Sequence, residues 1–266
     1  MSSATLEIGC CAGAGDLAVL RETPGVDFVE LPVARALMGE PADYGRLVER
    51  IGSLGLAVRA ANILLPPELK VVGPEADHEQ LAAYSATAFD RAARLGIQVI
   101  VFGSGRSRSV PPGFELDRAL DQFEAAVRLV LGQAVRQGMT LAVEPLHSSE
   151  TNLLTSLAQS ASFLRERDLA GARLTADIWH MLCEGEDLSA LAAAADLVAH
   201  AHVAAAERWA PGRAPDEIEA FLRCLHDAGY TGACSIECRW SDFPAEVGGA
   251  VARVREASVA AGWSAP

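Results

Sequence analysis

Basic residues are scarce in this chain. Lys and Arg together number 22 of 266 residues against 35 Asp and Glu, which gives a formal net charge of −13 at pH 7. A surface this acidic repels polyphosphate, so nucleic acid is excluded as the expected partner. A phosphorylated small molecule would need a local basic pocket. Long apolar runs are also missing. The longest, around Leu188–Val203, is interrupted by Asp196, His200 and His202, so no segment reads as a membrane span. The N-terminal MSSATLEIGC has no basic stretch leading into an apolar one, and no signal peptide is expected. The six cysteines (Cys10, Cys11, Cys183, Cys224, Cys234, Cys238) contain no CxxC pair. Adjacent Cys10 and Cys11 suit neither an ordinary disulfide nor a zinc knuckle, so reduced thiols and a cytoplasmic location are expected.

Nucleotide-binding signatures are absent as well. No GxGxxG or Walker A sequence follows the first strand-like segment. The stretch from Gly103 to Ser109 lacks the third glycine and the lysine, and Pro111-Pro112 opposes an immediate helix start. No Pro/Ser-rich linker or shift in composition divides the chain, so residues 1–266 read as one domain. Half of the residues are hydrophobic, enough for a sizeable core.

What the chain does have is alternation. Short β-rich apolar runs fall at Thr5–Cys10, Asp27–Leu31, Ala57–Ile63, Ile97–Phe102, Thr140–Glu144, Arg173–Asp177, Leu197–Val203 and Ala233–Glu237. Helix-like segments fall at Asp16–Glu22, Pro41–Leu54, Asp77–Leu95, Leu116–Gln137, Ser156–Arg167, Leu188–Ala195, Asp216–Ala228 and Phe243–Ala260. Gly55, Gly96, Gly138 and Gly229 each follow a helical run and precede a strand, where a left-handed residue is wanted. Strict βα alternation gives a parallel sheet covered by helices. About eight units in roughly 250 residues is the arithmetic of an α/β, single (β/α)8 TIM barrel. Cys10, Glu30, Asn62 and Phe102 then ring the same mouth as the later strand ends.

The last four strands end alike. The fifth closes on Glu144, the sixth on Asp177 with His180 three residues on, the seventh carries His200 and His202 on one face, and the eighth closes on Glu237. An unpaired charge at the end of an apolar strand is costly, and in a TIM barrel these ends build the active site. Three carboxylates meeting at one place repel one another unless a cation neutralises them. With one histidine they form an O₃N donor set for one divalent ion with open positions. His202 is assigned as the ligand, and His200 as a core or supporting residue. The hardness of the set favours Mn²⁺ or Mg²⁺, with Zn²⁺ and Co²⁺ as alternatives. Arg106 and Arg108 are read as a solvated loop. Glu30 and Asn62 face substrate or bond to loops, and Trp179 and Trp209 pack beside the site.

The order VEP, DxWH, HxH followed by ER and PG, then IE resembles the xylose-isomerase-like TIM barrels, in particular their sugar phosphate isomerase/epimerase group of ketose 3-epimerases and hydroxypyruvate isomerases. NILLPPELKVVGPEAD, VFGSGRSRSVPPG and EPLHSSETN carry the resemblance through the loops. It implies that Glu144, Asp177, His202 and Glu237 bind the metal and that Glu144 and Glu237 are the acid/base pair. Glu150, His180 and Arg208 are implied on the substrate side, with Asn62 beside them. Where such epimerases often carry Asn-Arg, this chain has His147-Ser148, which removes an anion-binding arginine. The implied activity is isomerisation or epimerisation of a ketose or small hydroxyketone through an enediolate. The alternatives are a lyase acting on a keto-inositol or dehydroshikimate at the same site, and a non-catalytic sugar-binding barrel. An apurinic endonuclease is disfavoured by the charge and by only six histidines. The expected partner is a sugar or sugar-like small molecule, with no nucleic acid and no membrane. A homo-oligomer is left open.

Overall fold

A computed structural model of the chain describes residues 5–212 and 217–265. Its eight strands are β1 (Ile8–Cys11), β2 (Phe28–Pro32), β3 (Val58–Asn62), β4 (Val99–Phe102), β5 (Thr140–Val143), β6 (Arg173–Asp177), β7 (Val198–Val203) and β8 (Ala233–Ile236). They pair in chain order and close on themselves, β8 against β1, with every pairing parallel. The chain is a (β/α)8 TIM barrel, as its alternation predicts.

The helices form because each has one apolar stripe to bury. The long helix Leu116–Gln137 buries Ala119, Phe123, Ala126, Val127, Val130 and Ala134 at spacings of three and four. Side-chain caps start several helices: Asp77 accepts from the Gln80 N–H, Ser156 from Gln159 and Asp242 from Ala245. Gly55 and Gly138 stop two of them at φ 62° and 68°, a conformation that costs a side-chain-bearing residue roughly 1–2 kcal/mol. The helix expected from Asp216 runs from Ile218 to Asp227 among the described residues, and Asp216 itself lies outside them. No helix among the described residues is long and apolar enough to cross a membrane.

Several short elements depart from the expectation, among them three that follow strands at the site end. A π-helical turn spans Val33–Leu37, one helical turn spans Gly105–Arg108, and a six-residue helix spans Ile178–Cys183. The turn at Gly105 forms despite Pro111-Pro112 because it ends at Ser109, before the prolines. Two residues expected at the mouth are placed elsewhere. Register sets Cys11, not Cys10, beside Glu30. Phe102 packs against Phe123 of an outer helix, ring centroids 5.4 Å apart, because strand alternation hands the inward position to Gly103.

Candidate active site

Four carboxylate- and imidazole-bearing residues come together at the carboxyl ends of β5 to β8. Ligand atoms of Glu144, Asp177, His202 and Glu237 all lie within 4.8 Å of one another. His202 Nδ1 is 2.9 Å from Glu144 Oε1, 3.0 Å from Glu237 Oε2 and 4.0 Å from Asp177 Oδ2. The strands place them directly: His202 pairs with Asp177 in register, and Glu144 and Glu237 each follow the last residue of an apolar strand.

Asp177 divides its two oxygens. Oδ1 accepts the Trp179 N–H at 2.8 Å and caps the helix Ile178–Cys183. Oδ2 is buried and accepts no hydrogen bond. The nearest charged or ring nitrogens stand off at 3.7 Å (His180 Nε2), 3.8 Å (Arg208 Nη2) and 4.0 Å (His202 Nδ1). A buried carboxylate oxygen without a partner is expensive, and a cation among the four donors would satisfy it. Three hard oxygen donors with one imidazole fit a divalent ion. A second grouping, Cys11, Glu30 and His202, is a poorer cage. Both Glu30 oxygens already face imidazoles at 2.7 and 3.0 Å, and burial foremost holds the Cys11 thiol protonated.

Burial dominates the electrostatics. It pushes Glu144 up to about 7, against the opposing bond from His202. Glu237 feels the same penalty, but the charges of Arg208 and then His202 outweigh it and bring Glu237 down to about 2. Burial would also neutralise His202, yet Glu30 and Glu237 foremost raise its pKa well above the usual imidazole value. Without a metal ion, therefore, an imidazolium and Arg208 supply the positive charge that this acidic cluster needs. Neutral His180 is brought to about 3 by burial and by Arg208.

The substrate-side candidates gather beside this cluster. Arg208 Nη2 is 2.7 Å from Glu237 Oε2, and its guanidinium lies over the Trp179 ring at 4.5 Å. Glu207 and Arg208 are consecutive left-handed residues, φ 57° and 61°. That strain is held in place by the Arg239 N–H donating to the Arg208 carbonyl at 2.6 Å. Glu150, half exposed, is 3.7 Å from Arg208 Nη1. Asn62 is buried and donates from Nδ2 to Glu237 Oε1 at 2.8 Å. The His147 N–H donates to His180 Nδ1 at 3.1 Å, and Arg208 Nη1 faces His180 Nε2 at 3.3 Å.

Three site residues escaped the sequence. Arg108, read as part of a solvated loop, is fully buried. Its Nη2 donates to the Glu144 carbonyl at 2.6 Å and its guanidinium lies over Phe123 at 5.3 Å; neighbouring Arg106 is exposed. Gly103 leaves the room that the Glu144 carboxylate occupies. His147 fixes His180, and its only signal was an unusual residue after the VEP motif.

With the geometry in place, comparison with known proteins gives the lineage. Residues 17–259 match the family described as xylose isomerase-like TIM barrel. The chain belongs to that family. Among curated relatives, it is 28% identical over 229 residues to the L-ribulose 3-epimerase of Mesorhizobium japonicum, covering 83% of this chain and 73% of that protein. It is 29% identical over 125 residues to the 3-dehydro-D-guloside 4-epimerase of Escherichia coli K12, spanning 47% of this chain and about half (48%) of that relative. A solved structure of an L-ribulose 3-epimerase superposes with a TM-score of 0.82 at 23% identity, covering 98% of this chain and 96% of the other. A 3-keto-D-glucoside 4-epimerase from E. coli gives 0.80 at 21%, covering 94% and 99%. At these identities the structural likeness bears on the fold alone.

Proposed function

We propose that this protein is a divalent-metal-dependent sugar epimerase or isomerase acting on a ketose or related hydroxyketone. The observation that carries the reading is the buried cluster of Glu144, Asp177, His202 and Glu237, with Asp177 Oδ2 left without a donor. Its relatives, named as epimerases of keto sugars, support the substrate class. These four residues would hold the ion, with Mn²⁺ favoured by the hardness of the donors. When bound, the ion would supply positive charge where negative charge develops as a proton leaves the carbon next to the carbonyl.

One of Glu144 and Glu237 takes that proton and the other delivers its own. Flanking the carbon from two sides, they invert its configuration; a single carboxylate passing the proton between adjacent carbons would interconvert aldose and ketose. Asn62 holds Glu237 through the bond at 2.8 Å, so its part is to orient a base as well as to border the substrate. His180 Nε2 and Arg208 Nη1 are 3.3 Å apart. A substrate oxygen entering between them accepts from Arg208 Nη1, and from His180 when Nε2 carries the ring proton. Glu150, at the open edge, orients a terminal hydroxyl, and the Trp179 ring supports Arg208.

The test is solvent exchange. Metal-loaded protein incubated in D₂O with a panel of ketoses, keto-glycosides and hydroxypyruvate is expected to place deuterium on the carbon beside the carbonyl of at least one of them. Chelation should stop the exchange and Mn²⁺ should restore it. Exchange that persists unchanged after complete chelation would contradict the reading.

A further inference from the structure

Glu30 belongs neither to the four-residue cluster nor to the groups facing the substrate, yet it is wholly buried at the centre of the barrel. It reaches from β2 across the lumen to β7. Its Oε1 is 3.0 Å from His202 Nε2, and its Oε2 is 2.7 Å from His200 Nε2. Both histidines are also wholly buried. The ring of His202 is thereby divided. Nε2 faces Glu30, while Nδ1 faces Glu144 and Glu237 at 2.9 and 3.0 Å. A neutral imidazole has one N–H and one lone pair, so a carboxylate fixed at Nε2 takes the proton there and leaves Nδ1 free to bind a cation.

We infer that Glu30 is the positioning residue for the metal site. By accepting the Nε2–H of His202 it makes Nδ1 the coordinating atom and fixes the plane of the ring. His200 occupies the second oxygen of Glu30 and so holds the carboxylate in that orientation. The two histidines of the HAHV strand thus have different tasks, one toward the ion and one behind the carboxylate. An ionised acceptor on the far nitrogen also makes a ligating imidazole a better donor, and such outer partners are typically worth about 10–100-fold in metal affinity. A burial role alone would not select a carboxylate here. A charged group in this place costs several kcal/mol unless both oxygens are bonded, and an apolar side chain would fill the space without that cost.

The inference rests on the metal reading proposed above, and the experiment separates the two. Zinc affinity would be measured by competition with a chromophoric chelator for the wild-type protein and for Glu144→Gln, Glu30→Gln, Glu30→Leu and His200→Asn. Circular dichroism and melting of the metal-free proteins would check the fold. Long-range ¹H–¹⁵N correlation on ¹⁵N-histidine-labelled protein would report which nitrogen of His202 carries the proton when zinc is bound.

The expected results are these. Wild type binds zinc with the proton on Nε2, and Glu144→Gln weakens binding. Glu30→Gln, which keeps the shape and loses the charge, lowers affinity about 10–100-fold. Glu30→Leu lowers it further and removes the single protonation pattern of His202. His200→Asn, which removes no ligand and, among the ligands, loses only the edge contact with the His202 ring at 5.0 Å, lowers it less, and it carries the test if the Glu30 variants do not fold. Wild-type zinc binding that ignores Glu144→Gln would overturn the metal reading and this inference with it. Binding that is sensitive to Glu144 but equal to wild type in the folded Glu30 or His200 variants, with the His202 proton still on Nε2, would overturn this inference alone.

Discussion

A methyl group at position 103 would overlap the Glu144 carboxylate, because the Cα of Gly103 borders the space that Oε2 fills. Gly103→Ala is therefore expected to leave the barrel folded, since φ at Gly103 lies outside the left-handed region, while displacing the carboxylate. Misplacing a reacting group by about 1 Å costs on the order of 100-fold in rate. Steady-state turnover beside a melting curve checks this; an unchanged rate would show that Glu144 has room to move. Arg108 acts on the backbone of the same residue. Arg108→Met keeps the volume of the stem but removes the donor to the Glu144 carbonyl. The expected outcome is at least about tenfold lower kcat with KM little changed, because substrate contacts stay in place. Neither residue was legible in the sequence. Gly103 and Arg108 sit in a stretch of Gly, Ser and Arg that reads as an exposed loop, and only the packing of that loop under Phe123 and Glu144 gives them a task.

At the level of strands and helices, legibility followed periodicity. The strands are short, mostly apolar runs and the long helices carry one apolar stripe, so each left a clear pattern. The one-turn helix Gly105–Arg108 and the helix Ile178–Cys183 are too short to build a period, and the second exists because Asp177 caps it. The four candidate ligands were legible because a charge closing an apolar strand needs a reason. Glu30 was placed at the mouth, but its task was not legible, since its partners His200 and His202 are 170 and 172 residues away and meet it only when the barrel closes. Phe102 was misplaced for a simpler cause: one step of strand alternation decides lumen or helix layer. The strained Glu207-Arg208 turn yields a further prediction. Arg208→Lys keeps the charge but cannot lie flat on Trp179 and reach Glu237 together. KM for an active sugar should rise about tenfold or more while metal affinity changes little, and a large loss of metal would count against Arg208 as a substrate group.

For the molecule as a whole, the carboxylates of Glu144, Asp177 and Glu237 converge on one point at the mouth. In the absence of a cation, two protons offset this charge. His202 carries one because Glu30 and Glu237 raise its pKa well above normal, and Glu144 carries another below about pH 7, chiefly through burial. A metal must displace both, so affinity rises with pH. The expected dependence is about tenfold per pH unit above pH 7, where one proton leaves, and steeper below it, where two leave. Calorimetry from pH 6 to pH 8 in buffers of different ionisation enthalpy measures that proton release, and a flat profile would contradict the charge assignment. The most direct measurement of the central claim joins metal content to chemistry on the same variants. Glu144→Gln and Glu237→Gln, each loaded with metal and assayed in D₂O with a sugar that wild type exchanges, are expected to lose exchange of the proton beside the carbonyl. Exchange by both at the wild-type rate would contradict the two-glutamate mechanism and move the base elsewhere, with His180 the first residue to examine.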